Sequence, residues 1–138
     1  MIGKTMSELK IGDEASLSRT VTEADIILFS GVSGDINPMH LDEEYAKQTI
    51  FKGRIAHGMI ACSYLTAVLA NKLPGPGSIY AGQEFKFLAP VRIGDTVTAK
   101  VEVVEIIEAK NRVKLRTYCI NQNGTLLVDG KATLLPPK

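Results

Sequence analysis

The residues best suited to chemistry lie in the segment 34–40, which reads GDINPMH. Asp35 and His40 are five residues apart in this segment. The Asn37-Pro38 pair between them disfavours a continuous helix, because the residue before a proline is pushed out of the α region. We therefore expect a bent loop that aims the carboxylate and the imidazole at one point. A carboxylate and an imidazole that converge on one water molecule form a minimal general acid/base site.

A second signal is His57-Gly58, which stands at the start of a long apolar stretch. The N-terminus of a helix presents unpaired backbone N–H groups and a partial positive charge. A glycine at that point lets a ligand approach the backbone closely. The Gly58 N–H could then stabilise a carbonyl oxygen that gains negative charge, as in an oxyanion hole. The alternative is a glycine needed only for tight chain entry. For His57 we favour a structural role over a catalytic one.

Other candidate chemistries have less support in the sequence. Thr66 lies two helical turns beyond Gly58, and its hydroxyl could bond back to its own helix or reach His40 or Asn37; both alternatives stay open. No Gly-x-Ser-x-Gly elbow of a serine hydrolase is present. Two histidines without a Cys or His cluster do not supply the three ligands of a metal site, so we expect no metal and no other cofactor.

Composition limits the classes of partner. The formal net charge of +1 argues against a protein that binds nucleic acid by neutralising phosphates. The longest stretch without a charged residue, Ile55 to Asn71, is slightly short for a membrane span. Cys62 and Cys119 both fall in apolar patterns and read as reduced core residues, which fits a cytoplasmic protein. A chain of 138 residues with 45% hydrophobic residues predicts one packed domain, 1–138.

The hydrophobic periodicity predicts helices first and strands later. Thr22 is a good N-cap for a helix, and Asp42 can cap a short helix through Lys47 whose inner face uses Tyr45 and Ala46. The stretch Gly58 to Lys72 is apolar on every side, so a helix buried all round is expected. Strands are expected at 15–21, 80–88, 95–108, 112–121 and 126–135, with Asn123-Gly124 as a hairpin turn.

This order of elements predicts an α+β hot-dog fold. A short strand, a helix-loop region and one apolar helix are followed by an antiparallel meander, and a meander of long strands can wrap around a single helix. Such a unit leaves one edge and the far face of its sheet uncovered. We therefore expect a homodimer.

The segment from Phe29 to Ala46 resembles the hydratase motif of the MaoC-like (R)-specific enoyl-CoA hydratases, also called the hydratase 2 family. The resemblance rests on Phe29, Ser33, Gly34, Asp35, Asn37, Pro38, Met39, His40 and Ala46. Met39 is a mild departure, because Leu, Ile or Val is usual there. The resemblance continues through the segments IAHGM at 55–59, PGPGSIY at 74–80 and FLAPVRIGDTV at 87–97, and so covers nearly the whole chain.

The resemblance implies a hot-dog fold and a reaction. Asp35 and His40 would hold and activate water, and the Gly58 N–H would bind the thioester oxygen. Asn37, His57 and Thr66 would support them, with Thr66 standing where some members carry a serine. The substrate would be a trans-2-enoyl-CoA or an enoyl-acyl-carrier-protein, and the product an (R)-3-hydroxyacyl thioester.

Three alternatives remain beside this expectation. One is a 3-hydroxyacyl-acyl-carrier-protein dehydratase, which a basic rim near Lys52, Arg54 or Arg92 would favour. Another is a hot-dog acyl-thioesterase, although these generally work with an acidic residue on or facing the central helix, and residues 58–73 contain none. The last is a domain that binds acyl thioesters without turning them over.

Overall fold

A five-stranded antiparallel sheet packs against one long helix in the computed structural model, which describes all 138 residues. The helices are α1 (Glu23–Ser33), α2 (Pro38–Leu41), α3 (Glu43–Ala46) and α4 (Gly58–Asn71). The strands are β1 (Glu14–Thr20), β2 (Ile79–Phe87), β3 (Thr96–Ile107), β4 (Arg112–Ile120) and β5 (Leu126–Leu135). None of the helices combines the length and the apolar character that crossing a bilayer requires.

The strand order is β1-β3-β4-β5-β2. The meander β3-β4-β5 confirms the prediction, and Gly124 adopts a positive φ of 78° in the turn between β4 and β5. The expected meander was wrong for β2, which pairs with β5 at the far edge rather than with β3. Residues 88–95 connect β2 to β3, and this segment is long enough to cross from one strand to the other. An extended chain covers about 3.3 Å per residue, and β2 and β3 are three strand spacings, or about 14 Å, apart.

The core lies between the sheet and one side of α4. Residues of β4 alternate between buried and half-buried, so that every second side chain faces the core. The expectation that α4 is buried all round was wrong. Met59, Ser63, Thr66 and Ala70 form an exposed stripe along it, because the sheet covers only one side of the helix within a single chain.

Local capping sets the helices before α4. Thr22 and Asp25 form a capping box at the start of α1, and Gly34 ends it with a φ of 80°. Asp42 caps α3 as expected, and its side chain accepts a hydrogen bond from the Tyr45 N–H. The inward-facing position predicted for Tyr45 was wrong, since its side chain is exposed while Ala46 is fully buried. A helix of only four residues turns little more than once, so Ala46 faces the core and its neighbour Tyr45 does not.

Candidate active site

Consecutive turns fix the loop that carries Asp35. The Ser33 hydroxyl donates to the Phe29 carbonyl at 2.6 Å and accepts a hydrogen bond from the Asp35 N–H at 3.0 Å. Asp35 Oδ1 then accepts from the Asn37 N–H at 3.2 Å, and Asn37 Oδ1 accepts from the Met39 N–H at 3.1 Å. Short polar side chains that bond the backbone two residues on are typical of such turns. The Asp35 carboxylate is left exposed at the surface.

His40 lies in the short helix α2 rather than in a loop. Pro38 occupies the first position of α2, where its fixed φ and missing N–H are tolerated. The bend expected from the sequence is confined to residues 34–37. The Asn37 side chain caps α2 and therefore helps to place the His40 ring, which is almost fully buried.

The hydrogen bonds of His40 define which nitrogen is free. Its Nδ1 lies 2.8 Å from the Ile55 carbonyl oxygen. A carbonyl can only accept, so Nδ1 carries the hydrogen, and in the neutral ring Nε2 is then the acceptor. Nε2 has no partner within the chain and is not among the buried unpaired atoms. Its lone pair is open to a ligand.

His57 connects this loop to α4. Its ring stacks on that of His40, with centroids 3.9 Å apart and planes inclined at 30°. Its Nε2 donates to the Asp35 carbonyl at 2.9 Å and lies 3.4 Å from the Ser30 hydroxyl. Its Nδ1 is buried without a partner. These contacts hold the backbone of Asp35 against the start of α4.

Asp35, His40 and His57 each offer one ligand-type atom, and these atoms lie within 4.8 Å of one another. The expectation that three metal ligands would not meet rested on the two histidines alone, whereas the structure adds the Asp35 carboxylate to them. The two rings are stacked with their planes inclined at only 30°, so their in-plane lone pairs lie in separate, nearly parallel planes. A shared zinc ion needs them to converge at about 2.0–2.1 Å. The arrangement is better suited to a hydrogen-bonded water molecule than to a metal ion.

Gly58 is the first residue of α4, and its N–H donates to no acceptor within the chain. His57, the N-cap, makes no capping hydrogen bond from its side chain. The positive end of α4 thus begins directly after His57, a member of the histidine stack. A second constraint acts on Gly58, because a Cβ at this position would lie 2.7 Å from two carbons of the Phe87 ring.

The structure does not bring Thr66 to the site. Its hydroxyl donates to the Ser63 carbonyl at 2.7 Å, and the residue lies on the exposed stripe of α4. Of the two alternatives for Thr66, the bond back to its own helix is therefore the one observed. At about 1.5 Å per residue, Thr66 is about 12 Å along the helix from Gly58.

Two cavities flank the first turns of α4. One, of about 290 Å³, is lined by Gly58, Phe87 and apolar residues of the segments 51–56 and 88–90. The other, of about 350 Å³, lies between α1 and α4, and its lining includes Phe29, Ile60 and Tyr64. Phe29 also packs against His57, with ring centroids 4.8 Å apart. The first cavity is therefore lined by Gly58 itself, whereas the second reaches His57 only through Phe29.

The sequence did not indicate the two arginines that hold the backbone around His40 and the segment 51–55 in place. The Arg54 guanidinium donates to the His40 carbonyl and to Glu23. Arg92 donates to the carbonyls of Phe51 and Gly53. Neither arginine forms the free basic rim that was considered for them. A backbone carbonyl carries no residue-type signal, so these contacts were not visible in the sequence.

Comparison with curated proteins gives close relatives. The chain is 50% identical over 130 residues to an (R)-specific enoyl-CoA hydratase of Rhodospirillum rubrum, covering 94% of this chain and 90% of the relative. It is 38% identical over 131 residues to the mitochondrial 3-hydroxyacyl-[acyl-carrier-protein] dehydratase FERN of Solanum lycopersicum, covering 94% and 78%. These names describe the two relatives.

A solved structure and a family profile agree with these similarities. The unliganded R-hydratase PhaJ1 of Pseudomonas aeruginosa superposes with a TM-score of 0.92 at 44% identity, covering 99% of this chain and 87% of that one. The chain has the hot-dog fold of this R-hydratase. The profile of the MaoC-like domain matches residues 7–123. The chain therefore belongs to the MaoC-like domain family.

Proposed function

We propose that this protein is an (R)-specific enoyl-CoA hydratase, a hydro-lyase that adds water to trans-2-enoyl-CoA and gives (R)-3-hydroxyacyl-CoA. The observation that carries the proposal is the approach of the Asp35 carboxylate and the His40 ring beside the unpaired Gly58 N–H. The hydratase names of the relatives add support for the substrate and for the stereochemistry.

The proposed mechanism uses the acceptors that the chain leaves free. Water is held between the Asp35 carboxylate and His40 Nε2. One O–H bond of the water breaks, its proton passes to this pair, and the oxygen bonds to C3 of the enoyl thioester. The negative charge that develops on the thioester oxygen is stabilised by the Gly58 N–H and the positive end of α4. A proton returned to C2 completes the addition.

A 3-hydroxyacyl-acyl-carrier-protein dehydratase is the second candidate, because a tomato relative bears that name. Acyl carrier protein is typically acidic, so a free basic rim would favour it. Arg54 and Arg92 are engaged with backbone carbonyls and Glu23, which leaves Lys52 as the exposed cation of the three. CoA also carries phosphates, so this charge argument applies to both carriers, and we favour CoA because the relative named for enoyl-CoA is 50% identical and the tomato relative 38%. Turnover of matched crotonyl-CoA and crotonyl-acyl-carrier-protein distinguishes the two.

Hydration and thioester hydrolysis are separated by one assay. Hydration of crotonyl-CoA removes the ultraviolet absorbance of the conjugated thioester without releasing a thiol, and chiral analysis of the product tests the (R) assignment. A thioesterase would release free CoA, which a thiol reagent detects.

The protein's own thiols do not interfere. Cys62 and Cys119 are buried, and burial raises the pKa of each to about 12, so both stay protonated.

Replacing either member of the proposed acid/base pair tests the mechanism. Asp35→Asn and His40→Gln keep the size of each side chain but remove its ability to exchange a proton. Each should lower kcat for crotonyl-CoA by about 10²–10⁴-fold, as is typical of general acid/base groups. Asp42→Asn, which alters a nearby helix-capping carboxylate, serves as the control and should keep near-normal turnover. Normal kcat in either site variant would disprove the proposed roles.

We also propose that residues 1–138 act as one domain and that two copies form a homodimer. The support is the exposed stripe of α4 together with the free edge of β2. Seven of the nine residues of β2 are exposed, among them Ile79 and Phe87. An uncovered apolar strand edge is a template for pairing with another chain.

A further inference from the structure

Arg54 contacts the chain immediately around His40. Its Nε donates to the His40 carbonyl oxygen at 2.7 Å, and its NH2 group donates to Glu23 Oε1 at 2.9 Å. The Arg54 side chain is only 17% exposed whereas that of Glu23 is 53% exposed, so the hydrogen bond to the His40 carbonyl is the better shielded of the two. A planar guanidinium that bridges two acceptors fixes both more firmly than a single point charge does.

The next residue, Ile55, binds the same histidine from the other side. The Ile55 N–H donates to the Met39 carbonyl at 3.2 Å, and the Ile55 carbonyl accepts from His40 Nδ1 at 2.8 Å. Arg54 and Ile55 together therefore hold the backbone and the ring of His40. Displacement of Arg54 would shift the carbonyl that orients the imidazole.

Arg92 anchors the opposite end of this segment. Its NH2 group donates to the Phe51 carbonyl at 2.6 Å, and its NH1 group donates to the Gly53 carbonyl at 3.2 Å. The segment 51–55 is thus tied to Arg92 at its start and to His40 and Glu23 at its end. No carboxylate contacts His40 Nδ1, so its orientation depends on where this segment places one backbone carbonyl.

We infer that Arg54 is a positioning residue for His40, which it acts on through the segment 51–55 without touching the substrate. The inference rests on the proposed function, because it assumes that His40 takes part in proton transfer. Its consequence is specific. Loss of the guanidinium leaves the substrate contacts in place but lets the imidazole drift, and a misplacement of about 1 Å can cost on the order of 100-fold in rate.

The test compares arginine variants with matched chemistry. Arg54→Met keeps the apolar stem and removes the donors, and it should lower kcat for crotonyl-CoA by about 10–100-fold while KM changes by less than about 3-fold. Arg54→Lys restores one donor and should recover part of kcat. The control is Arg116→Met, which breaks a two-bond pair with Asp129 on the neighbouring strand. This control should leave both constants unchanged.

A spectroscopic measurement makes the inference independent of turnover. The ¹⁵N shifts of the His40 ring should report hydrogen on Nδ1 in the native protein and a mixture of tautomers in Arg54→Met. If Arg54→Met does not fold, Glu23→Ala removes the acceptor at only one end of the guanidinium and should lower kcat by about 2–5-fold, a fraction of the general acid/base contribution.

Two results would overturn the inference. One is an Arg54→Met protein whose kcat equals that of Arg116→Met, and the other is an unchanged His40 tautomer. A failure of the proposed function has a different signature, since Asp35→Asn and His40→Gln would then retain turnover whatever Arg54 does to the ring.

Discussion

Gly58 combines two structural demands that a sequence cannot separate. A Cβ at this position would meet the Phe87 ring at 2.7 Å, which is closer than side chains pack. The same residue leaves its N–H unpaired at the start of α4. Tight packing against Phe87 therefore explains the absence of a side chain, whereas the free N–H is what an oxyanion requires.

A pair of substitutions measures the packing demand on Gly58. Gly58→Ala should lower the free energy of unfolding by about 1–3 kcal/mol, which is typical of overpacking. The value should fall towards the lower limit because the Phe87 ring is more than half exposed and can move. In a Phe87→Ala background the same substitution should be neutral or stabilising, because alanine is the better helix former. Thermal and urea unfolding of the four proteins give both values.

An equal loss of stability in both backgrounds would show that Phe87 is not the obstacle. The alternative obstacle would then be the backbone of the segment that enters α4. Activity is not the readout here, because Phe87 lines the same cavity as Gly58.

At the level of elements, local signals were sufficient for the starts of α1, α3 and α4 and for the strand limits, but not for the short helix α2 or for strand pairing. The Asp35–His40 spacing and the turn residues between them are local, so the structure brings together two of the residues expected to meet. The position of β2 beside β5 depends on how residues 88–95 cross the sheet, and no residue type encodes that path. The hold of Arg54 and Ile55 on His40 is also non-local and acts through backbone carbonyls.

The start of α1 is the element whose stability depends most clearly on one local motif. The Thr22 hydroxyl accepts from the Asp25 N–H at 3.3 Å, and the Asp25 carboxylate accepts from the Thr22 N–H at 2.9 Å. Thr22→Ala should therefore cost about 1 kcal/mol of stability, measured by urea unfolding. Thr22→Ser keeps the hydroxyl, and serine is at least as good an N-cap residue as threonine, so this variant should keep near-native stability. Equal losses in both variants would mean that the methyl group, and not the hydroxyl, stabilises α1.

At the level of the whole molecule, two exposed features of the single chain are available for a second copy to cover. The stripe of α4 formed by Met59, Ser63, Thr66 and Ala70 contains no charged residue. β2 lies at one edge of the sheet and β1 at the other. A partner that covers the stripe and extends the sheet at β2 would bury both features at once, as two-fold pairing of identical surfaces allows.

Sedimentation of charged variants tests this pairing. The native protein should sediment as a dimer at micromolar concentration. Ala70→Glu places a carboxylate on the exposed stripe of α4, where a single chain would tolerate it, but at a covered interface it would be buried without a partner. This variant should therefore shift towards monomer by at least about tenfold in the dissociation constant, since 1.4 kcal/mol is sufficient for that change.

Ile11→Glu, at an exposed position before β1, should leave the dimer intact. A native monomer, or equal effects of the two substitutions, would disprove the pairing, because charge at the α4 stripe would then have no special cost.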